Sequence, residues 1–268
     1  MSQAVLDGVT LAYERAGAGT PIVFIHGALI ADAFRPLLDE PALTSAHQLV
    51  IYHRRGYANS ARIAGPISVA EHAADCRALM KHLRLERAHV VGHSYGAAVA
   101  LQLTMESPEI VATLALLEPA VFGGQAYLDS LSKGQERYRR EGAGIVVDDF
   151  LKLRFGAEYR HNLERVLPGS FAQAVTDAAV WFEREVPVFL TWTFDEDDAR
   201  RIAHPVLAVL GEESDKLWPR FGQTQRQLLS SLPNVEGVVI AGVNHAMQIQ
   251  NSAAVAAALS EFYQRHPV

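Results

Sequence analysis

Residues 89–101, HVVGHSYGAAVAL, pass from an apolar, β-branched segment to a run of small residues. This change predicts a buried strand, a sharp turn at Ser94 and a helix that follows it. Gly92 and Gly96 lie two positions before and after the serine, where larger side chains would collide in so tight a turn. The turn lifts the Ser94 hydroxyl clear of its surroundings, as a serine nucleophile requires. Ser94 is therefore a candidate catalytic nucleophile.

Strands and helices alternate on both sides of this turn. Apolar, β-branched runs predict strands buried on both faces at residues 21–25, 48–53, 88–91, 111–117, 205–210 and 235–240. Helical patterns cover residues 31–43, 68–83, 94–107, 219–231 and 253–264. Residues 5–15 alternate about Asp7-Gly8, which predicts a β-hairpin. The fold class is therefore α/β, with a doubly wound, mostly parallel sheet of eight strands and functional groups at the strands' carboxyl ends.

The alternation stops between residues 122 and 204, where the pattern is mostly helical. We expect residues 1–121 and 205–268 to form the core and residues 122–204 to be an inserted helical cap. The insertion holds 12 of the chain's 22 Phe, Tyr and Trp residues. Such enrichment favours a lid whose apolar underside lines a pocket. The same rings could instead form a small core of the insertion, and the sequence does not assign them.

The composition narrows the classes of partner. A net charge of −6 and a pI near 6.0 argue against nucleic acid, which needs a concentrated basic face. No apolar run has the length of a membrane span, and no secretory signal is apparent. Cys76, the one cysteine, is expected to be buried on a helix face, and the lack of an intrachain disulfide agrees with a cytoplasmic protein. The expected partner is a small molecule, and the oligomeric state is left open.

A second motif, His26-Gly27-Ala28, ends the first buried strand. Acyl transfer creates an oxyanion, which needs preorganised backbone N–H donors within hydrogen-bonding distance. Gly27 permits a sharp turn that would point the N–H of Ala28 into the site. The N–H of Tyr95, at the start of the helix after the serine, is the second expected donor.

A third motif, Gly242-Val243-Asn244-His245, follows the last predicted strand. This position brings the His245 imidazole to the sheet edge that carries Ser94, so His245 is the expected general base. His93 is the nearest competitor, but its side chain should point away from that of the serine. No histidine pair has the spacing of zinc ligands beside an acid, so no metal site is expected. Surface or interface positions are expected for His53, His72, His82, His161 and His266.

Together, these motifs and the mid-chain insertion resemble the α/β-hydrolase superfamily with a cap domain. The resemblance covers nearly the whole chain, implies a Ser–His–acid triad and no cofactor, and says little about the substrate. One departure follows the strand at residues 48–53. Many relatives carry an Asp there, before a G-x-G-x-S turn, whereas residues 53–60 read HRRGYANS. We expect this difference to alter local packing rather than chemistry.

The resemblance leaves two positions for the acid. The commoner one, three residues beyond Gly211, is Ser214, and Asp215 lies one residue later. Some members, including lactonases, carry the acid at the end of the preceding strand, which here is Glu118. A carboxylate directly after four apolar residues is costly unless it is paired. Pro119 should also hold Glu118 in an extended conformation. Glu118 is therefore the preferred acid, and Asp215 the alternative.

The expected function is hydrolysis of a carboxylic ester or lactone with an apolar or aromatic body, through an acyl-enzyme intermediate. Two other enzymes would use the same triad: a carbon–carbon bond hydrolase of ring-cleavage products and a cofactor-free perhydrolase. A non-catalytic ligand receptor is disfavoured because the serine, the histidine and both candidate acids are all present. Ser94 at the turn excludes enzymes that use an Asp nucleophile there.

Overall fold

A computed structural model describes residues 1–268. The strands are β1 (Ser2–Leu6), β2 (Val9–Ala16), β3 (Thr20–Ile25), β4 (His47–Tyr52), β5 (Ala88–His93), β6 (Val111–Leu117), β7 (Val206–Gly211) and β8 (Val235–Ile240). The α-helices are α1 (Pro41–Thr44), α2 (Val69–His82), α3 (Tyr95–Glu106), α4 (Gly124–Glu141), α5 (Ala143–Phe155), α6 (Tyr159–Val166), α7 (Ser170–Ala179), α8 (Val186–Phe189), α9 (Glu196–Arg201), α10 (Ser214–Leu217), α11 (Arg220–Ser231), α12 (Met247–Gln250) and α13 (Ser252–Arg265). Two 3₁₀-helices, Arg35–Asp39 and Pro108–Ile110, and one π-helix, Val180–Glu185, complete the set.

The eight strands form one sheet in the order β1-β2-β4-β3-β5-β6-β7-β8. β1 and β2 form the expected antiparallel hairpin, β2 pairs antiparallel with β4, and the remaining strands are parallel. The predicted α/β fold with a mostly parallel eight-stranded sheet is thus confirmed. In the β5–β6 register His93 lies opposite Leu117. The residues that follow them, Ser94 and Glu118, therefore lie at the ends of neighbouring strands.

One predicted helix is wrong. Residues 31–43 form the 3₁₀-helix Arg35–Asp39 and then the four-residue helix α1. Pro36 and Pro41 lie near the start of these two pieces. A proline has no N–H to donate and restricts the residue before it, so the two prolines divide the segment. The apolar periodicity is real, since Leu37 and Leu43 are buried, but it spans two short helices.

The turn between β5 and α3 has the conformation expected from its glycines. Ser94 has a φ of 53°, a left-handed value that is rare for a residue with a side chain. A Cβ on Gly92 would lie 2.5 Å from Cα of Ala97, and one on Gly96 would lie 2.1 Å from the carbonyl oxygen of Ile25. Both glycines are therefore required by close approaches of the backbone.

The helices α4 to α9 and the π-helix make up the insertion between β6 and β7. Its buried side chains share one hydrophobic core with one face of the sheet, in a continuous cluster of 55 residues that includes Trp181 and Phe189 as well as Val90 and Leu116. Cys76 of α2 belongs to this core, as predicted. A second cluster, of 21 residues, packs α1 and α13 on the opposite face. No helix is both long enough and apolar enough to cross a membrane.

Replacing Gly96 by Ala should lower the free energy of unfolding by about 2–3 kcal/mol, because the added methyl group meets the backbone of β3. Urea unfolding followed by circular dichroism measures this change. Gly144→Ala is the matched control. Gly144 lies on α5, and no atom lies within 4 Å of the point that an added methyl group would occupy, so this variant should gain roughly 0.5–1 kcal/mol. Equal effects of the two substitutions would contradict the steric explanation.

Candidate active site

Three loops at the carboxyl edge of the sheet each contain a residue with strained backbone. Leu29 after β3, Ser94 after β5 and Glu118 after β6 have φ values of 69°, 53° and 44°. Such residues concentrate at functional sites, where the surrounding structure holds them in place. The predicted extended conformation of Glu118 is therefore wrong. Its N–H is held by the carbonyl of Val209 on β7, at 3.1 Å, and the chain turns sharply directly afterwards.

Glu118 and His245 form a buried pair at this edge. Oε2 of Glu118 lies 2.5 Å from Nδ1 of His245, and Oε1 accepts a hydrogen bond of 2.7 Å from the N–H of Gly211. The two side chains are 0% and 3% exposed. Because the carboxylate holds the proton on Nδ1, Nε2 is the ring nitrogen left to accept a proton.

Burial sets the protonation of this pair. It lowers the pKa of His245 well below its ordinary value, and the charges of Arg154 and Arg220 lower this pKa further. Burial also raises the pKa of Glu118 to about 7. An imidazole with a lowered pKa is neutral at neutral pH, which is the form that can take a proton from a hydroxyl.

His93 attaches the loop of His245 to the end of β5. Its Nε2 donates a hydrogen bond of 2.8 Å to the carbonyl oxygen of His245, and the two ring centres are 4.5 Å apart. Burial lowers the pKa of His93 to about 3, so the ring is neutral. Since its N–H is used to hold this loop, His93 positions His245.

The turn after β3 approaches the serine closely. A Cβ on Gly27 would lie 3.1 Å from Cβ of Ser94. The N–H of Ala28 makes no hydrogen bond within the protein. Tyr95 is the first residue of α3, so its N–H has no carbonyl one turn earlier in the helix. Both amides are thus available beside Ser94.

The Ser94 hydroxyl does not cap α3 and makes no hydrogen bond with His245 in this structure. In enzymes without substrate, such bonds are commonly long and tighten when the substrate binds. The structure therefore brings His245 and Glu118 into direct contact, and it links the end of β5, which Ser94 follows, to them through the β5–β6 register and His93.

Asp215, the alternative acid, has a different partner. It lies on α10, and its Oδ1 accepts a hydrogen bond of 2.7 Å from the N–H of Gly222 near the start of α11. It is partly buried and makes no hydrogen bond with His245. The Asp215 carboxylate therefore joins α10 to the start of α11.

Comparison with known proteins identifies the family. The sequence profile of the alpha/beta hydrolase family matches residues 22–258. The chain belongs to this family. The resemblance inferred from the motifs is thereby confirmed.

Individual relatives of this chain have diverse names. It is 32% identical to the dihydrolipoyllysine-residue acetyltransferase component of an acetoin cleaving system from Cupriavidus necator, over 65% of this chain and 46% of that protein. The chain thus spans less than half the length of that relative. It is 25% identical to a non-heme haloperoxidase from Rhodococcus erythropolis, over 96% and 97% of the two chains. A thermophilic esterase from Thermogutta terrifontis has the same fold, with a TM-score of 0.87 over the whole of both chains at 19% identity.

In this member of the alpha/beta hydrolase family, Arg54 stabilises the turn after β3. Its Nε and Nη2 donate hydrogen bonds of 3.1 and 3.0 Å to the carbonyl oxygens of His26 and Gly27. Its own N–H donates to Nε2 of His26 at 2.9 Å. Arg54 lies in residues 53–60, the segment that departs from the commoner family pattern. In this chain the segment therefore packs, through Arg54, against the turn that leads to Ala28.

Glu185, on the π-helix of the insertion, compensates the charge of Arg54. It forms a fully buried ion pair with the guanidinium, accepts a hydrogen bond of 2.7 Å from the Tyr57 hydroxyl and lies 2.7 Å from Nε2 of His72. Burial raises the pKa of Glu185, but Arg54 and His72 outweigh that effect and lower it. The surface positions expected for His72 and His53 are wrong, since both are buried beside a carboxylate.

Sequence reasoning missed four charged residues at this site: Arg54, Glu185, Arg154 and Arg220. Only Arg54 carried a signal, through the departure from the family pattern. A contact between distant segments, such as that of Arg54 with Glu185, produces no regular spacing that could be recognised in a single sequence.

Replacing Glu118 by Gln should lower turnover by about 10⁴-fold, because the imidazole loses the partner that holds its proton on Nδ1. Asp215→Asn is the matched control and should stay within about tenfold of the wild type, since Asp215 contacts Gly222. Turnover of an aryl ester and melting temperature are measured for both. Loss of turnover in a folded Asp215→Asn with near-normal Glu118→Gln would contradict the assignment.

The buried histidines should make the fold sensitive to acid. Burial lowers the pKa of His26, His72, His89, His93 and His245. The unfolded chain therefore binds protons below about pH 6.5 that the folded chain does not, and the free energy of unfolding falls as the pH falls. His89 and His93, whose pKa values are lowered to about 3, should each contribute about 1 kcal/mol between pH 7.5 and 5.5, partly offset by Glu118, whose raised pKa acts in the opposite direction.

Urea unfolding at pH 7.5 and 5.5 measures this loss. His89→Gln should reduce the difference between the two pH values, whereas His161→Gln, at an exposed position, should leave it unchanged. If the free energy of unfolding of the wild type is the same at pH 7.5 and pH 5.5, the buried histidines do not have this effect.

Proposed function

We propose that this enzyme hydrolyses carboxylic esters or lactones through an acyl-enzyme intermediate. Ser94 is the nucleophile, His245 the general base and Glu118 the acid that orients it. The observation that carries the proposal is the 2.5 Å contact between Glu118 and His245, which is buried at the strand ends beside the turn of Ser94.

The chemistry follows from these positions. Nε2 of His245 takes the proton of Ser94 as its Oγ attacks the carbonyl carbon, and Glu118 stabilises the imidazolium. The N–H groups of Ala28 and Tyr95 stabilise the oxyanion. The imidazolium returns the proton to the leaving alcohol, which gives an acyl-serine. Water, deprotonated by the same imidazole, then releases the acid and restores the Ser94 hydroxyl.

Rings of the insertion support an apolar or aromatic body in the substrate. Phe155 lies 5.9 Å from the His245 ring, and Trp181 and Phe189 lie 5.3 and 5.0 Å from the ring of Tyr95, between ring centres. We accordingly propose residues 122–204 as a cap over the site. Other insertion rings pack on one another, as Tyr138 does on Phe182 with ring centres 5.1 Å apart, and these stabilise the insertion itself. The lone buried cysteine agrees with the cytoplasmic location that we also propose.

A cofactor-free perhydrolase is the second candidate. It is favoured by the name of the Rhodococcus erythropolis relative, a non-heme haloperoxidase that aligns over nearly the whole chain. In that reaction hydrogen peroxide replaces water in attack on the acyl-serine, and a peracid is released. Adding peroxide to an ester assay and detecting peracid distinguishes the two reactions.

A fluorophosphonate probe should add one adduct to the protein, at Ser94, because the neutral His245 activates this hydroxyl. Intact-protein mass spectrometry measures the adduct. Ser94→Ala should lose both the adduct and ester turnover, whereas Ser45→Ala, at an exposed position outside the motifs, should keep both. Labelling that persists in Ser94→Ala would show that another residue is the nucleophile.

A further inference from the structure

Arg154 of α5 is a buried cation without a carboxylate partner. Its side chain is more than nine-tenths buried, and its only hydrogen bond, of 3.1 Å, goes to the carbonyl oxygen of Phe150. Its guanidinium lies 3.6 Å from the ring centre of Phe150 and 4.9 Å from that of Trp218. Burial lowers the pKa of Arg154 to about 10, which expresses how poorly its charge is compensated.

Arg220, at the start of α11, is partly buried and likewise has no carboxylate partner. Its Nη2 donates a hydrogen bond of 2.8 Å to the carbonyl oxygen of Val121, and its buried Nε has no partner. The guanidinium lies 3.8 Å from the ring centre of Tyr127 and 5.5 Å from that of Trp218. Two cations thus approach the same Trp218 ring, and no anion lies between them.

Both arginines border the proposed catalytic centre. Trp218 packs edge-on against Phe221 at 5.4 Å, and Phe221 stacks on the ring of His245 at 4.4 Å. Arg154 and Arg220 are also the two charges that lower the pKa of His245 beyond the effect of burial. Val121, the partner of Arg220, lies three residues after Glu118. The cations therefore lie about two rings away from the imidazole.

Arg54 shows how this fold buries an arginine that has a structural role. Arg54 has Glu185 as its counterion and two backbone carbonyls to fill its remaining donors. Arg154 and Arg220 have ring faces and one carbonyl each, and each repels the other. A desolvated cation without a counterion is costly unless something pairs with it. The uncompensated charge and the free donors point to a bound anion.

We propose that Arg154 and Arg220 bind a carboxylate of the substrate, so that the enzyme acts on esters or lactones that carry a negative charge on their apolar or aromatic body. Arginine matches a carboxylate with two parallel hydrogen bonds. This inference rests on the proposed function and adds the charge of the substrate to it.

A cavity of about 530 Å³ on the insertion side of Arg154 agrees with such a ligand. Its apolar wall includes Phe150 and Trp181, and its charged lining consists of Lys133, Arg137, Lys152 and Arg154 together with one carboxylate, Asp149. Positive groups along a cleft raise the local concentration of an anion. The cavity therefore combines apolar walls with positive charge, as an amphipathic anion requires.

The test compares para-acetoxybenzoate, and its homologues with one or two methylene groups before the carboxylate, with the corresponding neutral amides. We expect kcat/KM for the best carboxylate to exceed that for its amide by at least about tenfold, since a charge-assisted pair of hydrogen bonds contributes that much or more. Arg154→Met and Arg220→Met should each lower this ratio about 10- to 100-fold, mainly through KM.

Arg160→Met is the matched control. Arg160 also lies over a ring of the insertion, Phe171 at 3.6 Å, but it is half-exposed and paired with Asp148. This variant should leave the ratio unchanged. If a Met variant fails to fold, calorimetry on Ser94→Ala supplies a second readout, in which the carboxylate should bind at least about tenfold more tightly than the amide.

Equal kcat/KM values and equal affinities for carboxylates and amides would overturn this inference. The inference would also be overturned if the ratio of kcat/KM for the carboxylate to that for its amide changed no more in folded Arg154→Met and Arg220→Met than in Arg160→Met. Fluorophosphonate labelling of Ser94 separates this failure from that of the proposed function. Labelled enzyme without a preference for the anion refutes the arginine site alone, whereas absence of labelling refutes the serine mechanism.

Discussion

The buried ion pair of Arg54 and Glu185 joins the segment after β4, the turn after β3 and the insertion. Arg54 follows β4 and grips the turn after β3, and Glu185 comes from the insertion. Removing one partner of such a pair typically costs about 3–5 kcal/mol, because the other charge is left buried and uncompensated. The position of the turn that leads to Ala28 therefore depends on a residue more than 150 positions away in the sequence.

A second buried carboxylate, Glu118, is held differently. Glu185 has a permanent cation beside it, which keeps its pKa low, whereas Glu118 faces a neutral imidazole and burial raises its pKa to about 7. The fold thus contains one carboxylate that is stabilised as a fixed charge and another whose charge is poorly stabilised until a cation forms next to it. Formation of the imidazolium of His245 supplies that cation, and this matches the moment at which catalysis needs the carboxylate.

The sheet and the turn of Ser94 could be predicted because their signals are local. Uninterrupted β-branched runs mark buried parallel strands, and the glycines lie at a fixed spacing of two residues on either side of Ser94. Glu118 could be proposed from the cost of placing a carboxylate after an apolar strand. Its left-handed backbone could not, since the proline rule gives only an average preference and the hydrogen bond to Val209 depends on the neighbouring strand. The roles of Arg154 and Arg220 could not be predicted, because they follow from the absence of a carboxylate partner, which only the packed structure reveals.

The continuous core shared by the insertion and the sheet has a consequence for how the molecule moves. A cap with its own core could swing on its connections as a rigid body, but here Trp181 and Phe189 belong to the same packed cluster as Val90 and Leu116. Swinging it away would expose that core to water, at a cost proportional to the apolar area uncovered. We therefore expect the two parts to unfold in a single cooperative step. Substrate should then reach Ser94, and product leave it, through rotation of individual side chains on a timescale of nanoseconds to microseconds, rather than through slower hinge opening.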